Sequence, residues 1–286
     1  MNILTFDVED WFHLLDHDST RRVEQWSAFE SRIQASTDRI LDLLAAHGQK
    51  ATFFCLGWVA DAHPAVIRRI DAAGHEIGSH TYSHQLITSQ TRAAFAADFT
   101  RSVDRLEEVT GKKIRAFRAP GFSLTARNTW AFEVIAAAGI KVDCSVFPAS
   151  HAHGGFETFG DARPVIVDRG GVRLKEFPLN VSQILGKRVV FSGGGYFRLF
   201  PYALIRQMMR DSGYVMTYFH PRDFDAGQPM LPNLPWRRRF RSYVGLAGAF
   251  QKLRTLLEEF QFVDLAEAER SVDWTHAPVV RIAEAA

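Results

Sequence analysis

The sequence predicts an α/β barrel, and three observations carry that reading. Short apolar runs of strand length alternate with longer stretches whose apolar residues recur at helical spacing. The connections are short, and at least five strand–helix units fit before residue 150. Most of the apolar runs stop at an ionisable residue, as strands do when they end at one working rim of a parallel sheet. Alternation with short links implies a parallel sheet with helices outside it, and the number of units favours closure into a barrel.

The elements follow in order. Asn2 to Phe6 is a buried strand that stops at Asp7. Residues 36–47 (STDRILDLLAAH) form an amphipathic helix with a Ser/Thr/Asp start and Gly48 as its stop. Residues 51–57 are a second strand, and Pro64 to Ala73 a helix ended by Gly74. Glu76 to Ser79 is a short strand or strand exit, followed by two histidines. Thr91 to Thr110 is a long helix stopped by Gly111. Arg115 to Arg118 leads into "RAPGF", Asn128 to Ala138 is a helix stopped by Gly139, and Lys141 to Val146 is a strand. From His151 to Tyr202 the rhythm breaks. Glycine pairs and β-rich segments there read as a β-hairpin insertion plus loops over the active-site face. Pro201 to Gly213 is again helical, Val215 to His220 a strand, 246–260 a helix, and "QFVDL" a last strand.

Bulk properties bound the function. The 286 residues are 47% hydrophobic and 23% charged, enough apolar mass for one large domain with a real core. A formal net charge of +2 gives no whole-chain argument for nucleic acid. Cys55 and Cys144 sit in apolar surroundings and read as buried thiols rather than a disulfide. The start, MNILTFDVED, lacks a basic and apolar leader, and no window approaches ~18 uncharged apolar residues, so no membrane span is expected and the cytoplasm is the expected address.

The ionisable residues at strand ends converge. Asp7, Glu9 and Asp10 follow the first strand, His80 and His84 another, and Arg118, Asp143 and His220 theirs. Histidines four apart on one helical turn are close enough to share one divalent ion, and a carboxylate is the usual third ligand of a catalytic zinc. The acids at 7 to 10 supply that ligand and leave a neighbour free to act as a base. Three acids in four residues also repel one another unless a cation or arginine offsets them. Arg118, before a rigid Pro-Gly turn, is placed to hold a carboxylate. "FSGGGYFRLFPY" at 191–202 is a glycine-rich, aromatic rim, with Gly194 and Tyr196 as sugar contacts. Trp11, with Phe12 and His13 behind the acids, and Phe122 in the Pro-Gly turn are read as further substrate contacts. Arg237, Arg238, Arg239 and Arg241 read as a solvated basic stretch. The functional alternative is contact with an anionic glycan, a lipid-linked pyrophosphate or a membrane surface.

"TFDVED", "HEIGSHTYSH", "FRAPGF", "DCSVF" and "YFHP", in this order, resemble the polysaccharide deacetylase family (carbohydrate esterase family 4, the NodB homology family). The resemblance spans about Asn2 to Asp225 and leaves residues 226–286 as a C-terminal extension, with the "DVED" branch as the nearest. It implies a distorted (β/α) barrel, usually of seven strands, and zinc or a similar divalent ion held by Asp-His-His. It implies Asp7 as general base, His80 and His84 as metal ligands, Arg118 as the group that orients the base, His220 as general acid, and Asp143 as the acid that tunes it. Two departures stand out. Val8 occupies the place of the family's ligand aspartate, so the carboxylate ligand is Glu9 or Asp10. Strand alternation points Glu9 to the side of Asp7, whereas a turn beginning at Val8 brings Asp10 round. Asp10 is preferred because the family's ligand is an aspartate. Val146, followed by Phe147, stands where an aromatic is common. The implied activity is metal-dependent removal of N-acetyl groups from amino sugars of a bacterial cell-surface polysaccharide or its precursor. The partner would be an N-acetylated glycan or a lipid-linked oligosaccharide. The alternatives are a same-fold amidohydrolase for a small amide and a non-catalytic glycan binder.

Overall fold

The computed structural model describes residues 1–283 apart from Asp16, His151, Leu185 and Gly186; residues 284–286 of the expected extension lie outside it. β1 (Asn2–Ile3) and β2 (Thr5–Val8) form one run interrupted at Leu4. Then come α1 (Ile33–Ala46), β3 (Thr52–Cys55), α2 (Gly57–Ala62), α3 (Pro64–Ala72), β4 (Glu76–Ser79), α4 (Arg92–Thr110), β5 (Ala116–Phe117), α5 (Ala131–Ala137) and β6 (Val142–Asp143). β2 to β6 pair in parallel, each with its predecessor in the chain. The helices lie outside because their buried faces demand it. In α4, Phe95, Phe99, Val103 and Leu106 are buried at helical spacing. The Thr91 hydroxyl accepts from the Ala94 N–H to cap its start, and Gly111 at φ 68° ends it in the left-handed region.

The second half departs from the sequence reading. β7 (Val165–Arg169) and β8 (Val172–Glu176) form the expected hairpin, turned by Gly170 and Gly171. The hairpin does not lie over the active-site face. β8 pairs in parallel with β6, Asp143 opposite Glu176, and so belongs to the main sheet. Leu174, Glu176 and Phe177 are buried there, which a flap over an open mouth would not achieve. A separate ribbon of β9 (Ser182–Ile184) and β10 (Lys187–Val189) follows, then α6 (Gly194–Leu199), α7 (Tyr202–Asp211) and β11 (Val215–Met216). β11 pairs with β1 in parallel, and a bridge joins Phe6 to Phe219. The run β1/β2, β3, β4, β5, β6, β8 and β11 gives seven barrel positions among the described residues.

α8 (Trp236–Tyr243), α9 (Leu246–Glu259) and α10 (Leu265–Ser271) complete the helices, and β12 (Val279–Arg281) lengthens the sheet beside β7. In the expected last strand, "QFVDL", only Val263 makes a bridge, to Ile3. Both cysteines are buried free thiols, and no helix is long and apolar enough to cross a membrane.

Candidate active site

A cavity of about 560 Å³ opens at the carboxyl ends of the strands, lined by Asp7, Glu9, His80, His84 and His220 among others. β2 sets its floor. Val8 is fully buried in the core, so by alternation Asp7 and Glu9 both face the mouth. Glu9 Oε1 lies 2.9 Å from His84 Nε2, 3.3 Å from His80 Nε2 and 3.6 Å from His220 Nε2. Burial alone would raise the Glu9 pKa, but His84, His220 and His80 hold it well below the usual carboxylate range.

Asp10 is not at the cavity. Its carboxylate accepts from the Trp11 N–H at 2.8 Å, the Ser31 hydroxyl at 2.6 Å, and the Arg32 and Ile33 N–H groups at 3.0 and 3.2 Å. It therefore caps the start of α1 from across the chain, and those donors would be orphaned without it. The preference for Asp10 as ligand is corrected to Glu9. Asp10→Ala should cost about 1–2 kcal/mol of stability, the worth of a lost helix cap, and leave metal content unchanged. Thermal melting alongside metal analysis checks both.

The histidine pair does not ride on a helix. Thr81 (φ 67°) and His84 (φ 54°) adopt left-handed backbone, which costs a non-glycine residue about 1–2 kcal/mol each. Asp98 of α4 holds the turn, accepting from the Tyr82 N–H at 3.0 Å and the Ser83 hydroxyl at 2.5 Å. His80 Nδ1 lies 2.7 Å from the Arg118 carbonyl, which can only accept, so Nδ1 carries the proton. In the neutral ring its Nε2 is then a lone pair facing the Glu9 carboxylate. Two acceptors at that distance repel unless a proton or cation lies between them. Glu9, His80 and His84 offer three ligand atoms within 4.8 Å of one another, a donor set that suits zinc and similar divalent ions.

Asp7 and His220 flank this cluster. Arg118, fully buried, donates from Nη1 to Asp7 Oδ1 at 2.7 Å and to the Thr5 hydroxyl at 2.7 Å. Asp7 Oδ2 faces His220 Nε2 at 4.0 Å. The other nitrogen of His220 is held by Asp223, whose Oδ2 lies 2.9 Å from Nδ1 and also accepts from the His220 backbone N–H. Burial would lower the His220 pKa, but Glu9, Asp223 and Asp7 outweigh it and push it up to about 9.

Asp143 is not the partner of His220. Its Oδ1 accepts from the Ser145 hydroxyl at 2.5 Å, and Glu176 stands opposite it across the β6–β8 pair. Burial raises Asp143 to about 6 and Glu176 further, so the pair carries less than two charges. Asp223, which the sequence reading omits, takes the expected role. Its signal is the spacing: in "HPRDF" a Pro-started 3₁₀ turn folds residue i+3 back onto His220.

The substrate contacts divide. Phe122, Gly194 and Tyr196 line the cavity, as does His13. Trp11 does not. It is buried against Phe12 and Phe29, with its indole N–H donating to the Glu30 carbonyl. The glycines of 193–195 serve close packing: a Cβ on Gly193 would meet the Tyr218 carbonyl oxygen at 2.3 Å. Arg238 and Arg241 line the cavity too, so the basic stretch is not merely solvated.

Residues 17–142 match the family described as Polysaccharide deacetylase. Over that stretch the chain is similar to that family. Residues 144–269 match a domain of unknown function (DUF3473). The chain is similar to a chitin deacetylase of Pestalotiopsis sp, 40% identical over 96 residues, or 32% of either chain. It is also similar to a peptidoglycan-N-acetylglucosamine deacetylase of Bacillus cereus, 36% identical over 98 residues, or 34% of this chain and 36% of the relative. These matches span about a third of the relatives' own length. Over the whole chain the fold resembles that of a Mycobacterium smegmatis protein described as a polysaccharide deacetylase (TM-score 0.67, 19% identity, 100% of this chain and 93% of that one). At that identity the likeness is one of fold.

Proposed function

We propose that the chain is a divalent-metal-dependent hydrolase, with zinc the first candidate ion, that removes N-acetyl groups from amino sugars of a bacterial cell-surface polysaccharide or its precursor. The observation that carries this is the placement of Asp7–Arg118 and His220–Asp223 beside Glu9, His80 and His84. A divalent ion held by those three ligands supplies Lewis-acid polarisation of an acetamide carbonyl and acidifies water. The chain's own residues do the rest. Arg118 anchors Asp7 Oδ1 and leaves Oδ2 to take the proton of the attacking water. The water oxygen adds to the carbonyl carbon and the C–N bond breaks. His220, protonated and pointed inward by Asp223, donates from Nε2 to the leaving amine. Acetate departs, and a free amino sugar remains.

The test is metal content of chain purified without chelator, together with acetate release from N-acetylated oligosaccharides. About one divalent ion per chain with metal-dependent acetate release is expected. Bound metal without acetate release from any such glycan would sink the reading.

A further inference from the structure

From Ala226 to Leu257 the chain contains no aspartate or glutamate but six cations: Arg237, Arg238, Arg239, Arg241, Lys252 and Arg254. Lys252 turns inward and donates to the carbonyls of Phe197, Arg198 and Phe200. Four of the others belong to α8, which has no buried residue. An eight-residue helix with four arginines and no acid repels itself, so its place needs a reason.

That place is the cavity wall. Arg238, Phe240 and Arg241 line the same space as Glu9, His80 and His84. The helix is also fixed there. Arg198, almost fully buried, donates to the carbonyls of Arg241 at 3.1 Å, Ser242 at 2.9 Å and Val244 at 3.1 Å. Its Nε lies 3.2 Å from Asp223 Oδ1. A Cβ on Gly195 would meet the Arg241 carbonyl oxygen at 2.9 Å, so backbone packs on backbone. The arginines are thus presented from a preorganised base that is tied to the His220–Asp223 pair.

Among the described residues, the acids that line the cavity already have cations or histidines beside them. Asp7 is neutralised by Arg118, Asp223 by Arg198 and His220, and Glu9 faces its histidines. Arg222 is a further cation at the cavity, with Nη2 buried and without a hydrogen-bond partner among the described residues. Aromatic faces accompany the cations. Tyr196 is 48% exposed and Phe240 51%, both at the cavity, and Trp236 on the same helix is 74% exposed. Flat faces beside guanidinium groups suit a sugar chain that carries negative charge.

We propose that the α8 wall, with Arg238, Arg241 and Arg222, is an anion-binding subsite that reads a carboxylate or phosphate group on the glycan near the N-acetylated sugar. This rests on the deacetylase reading for its biological meaning. It makes the preferred substrate an acidic glycan rather than a neutral chitin-like one.

The test is calorimetric binding to the intact chain, which needs no turnover. The probes are a neutral N-acetylchitotetraose, a uronate-containing N-acetylated tetrasaccharide, and an N-acetylglucosamine oligosaccharide bearing a terminal phosphate. At least one acidic probe should bind about tenfold tighter than the neutral one, a preference that high salt erodes. A stronger uronate probe identifies a carboxylate reader, and a stronger phosphate probe a phosphate reader. R238Q/R241Q should bring the preference close to unity at unchanged thermal melting, whereas R239Q, off the cavity wall, should keep it. Equal binding of neutral and acidic probes overturns the proposal, as does preference surviving in R238Q/R241Q. Binding to phosphatidylglycerol vesicles without any glycan preference also overturns it and makes α8 a membrane surface. Tight acidic binding without acetate release would sink the deacetylase reading alone. Equal acetate release kinetics on neutral and acidic glycans would sink the subsite alone.

Discussion

Glu9→Gln is expected to empty the metal site and lower acetate release by on the order of 10³-fold or more, because the loss removes both a charged ligand and the chemistry the ion supplies. The change is nearly isosteric, so the fold should persist. Among the described residues Glu9 is the carboxylate that faces both His84 and His80, at 2.9 and 3.3 Å. An amide there presents a neutral oxygen or an N–H to two imidazole lone pairs and no longer offsets a dication. His80→Ala and His84→Ala should lose metal as well. Asp10→Asn separates this account from the family-based expectation. It should retain about one ion per chain and most of its activity while melting at lower temperature. Metal analysis of the purified variants decides. An Asp10→Asn chain without metal, beside a Glu9→Gln chain that keeps it, would return the ligand role to Asp10.

Glu9 and Asp10 also show where sequence reasoning reached its limit. Alternation along β2 points Glu9 to the side of Asp7, and both line the cavity, since the strand geometry carries one residue past its last ladder bond. Chemical habit pointed to aspartate instead. What decides is a demand no local pattern displays: the N–H groups of Arg32 and Ile33 need an acceptor, and Asp10, more than twenty residues earlier, supplies it. The same holds elsewhere in the chain. Asp7, Arg118, the histidines and His220 were legible because each ends an apolar run. The shape of the "HTYSH" turn was not, because its left-handed residues depend on Asp98 in the next helix. The first half of the barrel was legible because neighbours in sequence are neighbours in the sheet. β8 was misplaced because β7 intervenes: the strand next to it in the chain is its hairpin partner, while the strand that seats it in parallel is β6. For the arginines of α8 the sequence left a solvated stretch and a glycan contact side by side, because exposure at a cavity wall and exposure to bulk solvent look alike in composition.

Asp223→Asn should lower kcat roughly 10- to 100-fold near pH 8, with a smaller loss near pH 6. The sign follows from what His220 must do. It donates a proton to the leaving amine, so only its protonated form works, and activity falls as pH rises through its pKa. That pKa is pushed up to about 9: burial opposes the charge, and Glu9, Asp223 and Asp7 outweigh burial. A metal ion on Glu9 would cancel much of that residue's pull. Asp223, bonded to Nδ1 at 2.9 Å and far enough from the ligands to keep its charge, then becomes the main support of the imidazolium. An asparagine can hold the ring but not the charge, so the basic limb of the profile moves to lower pH. Asp223→Asn also releases the Arg198 contact, which would weaken the packing of α8 at every pH alike. The pH–kcat profile separates the two effects. A limb that shifts assigns Asp223 to proton donation. A profile that drops in parallel, with the basic limb unmoved, would reduce Asp223 to a packing residue and leave His220 without the partner the mechanism needs.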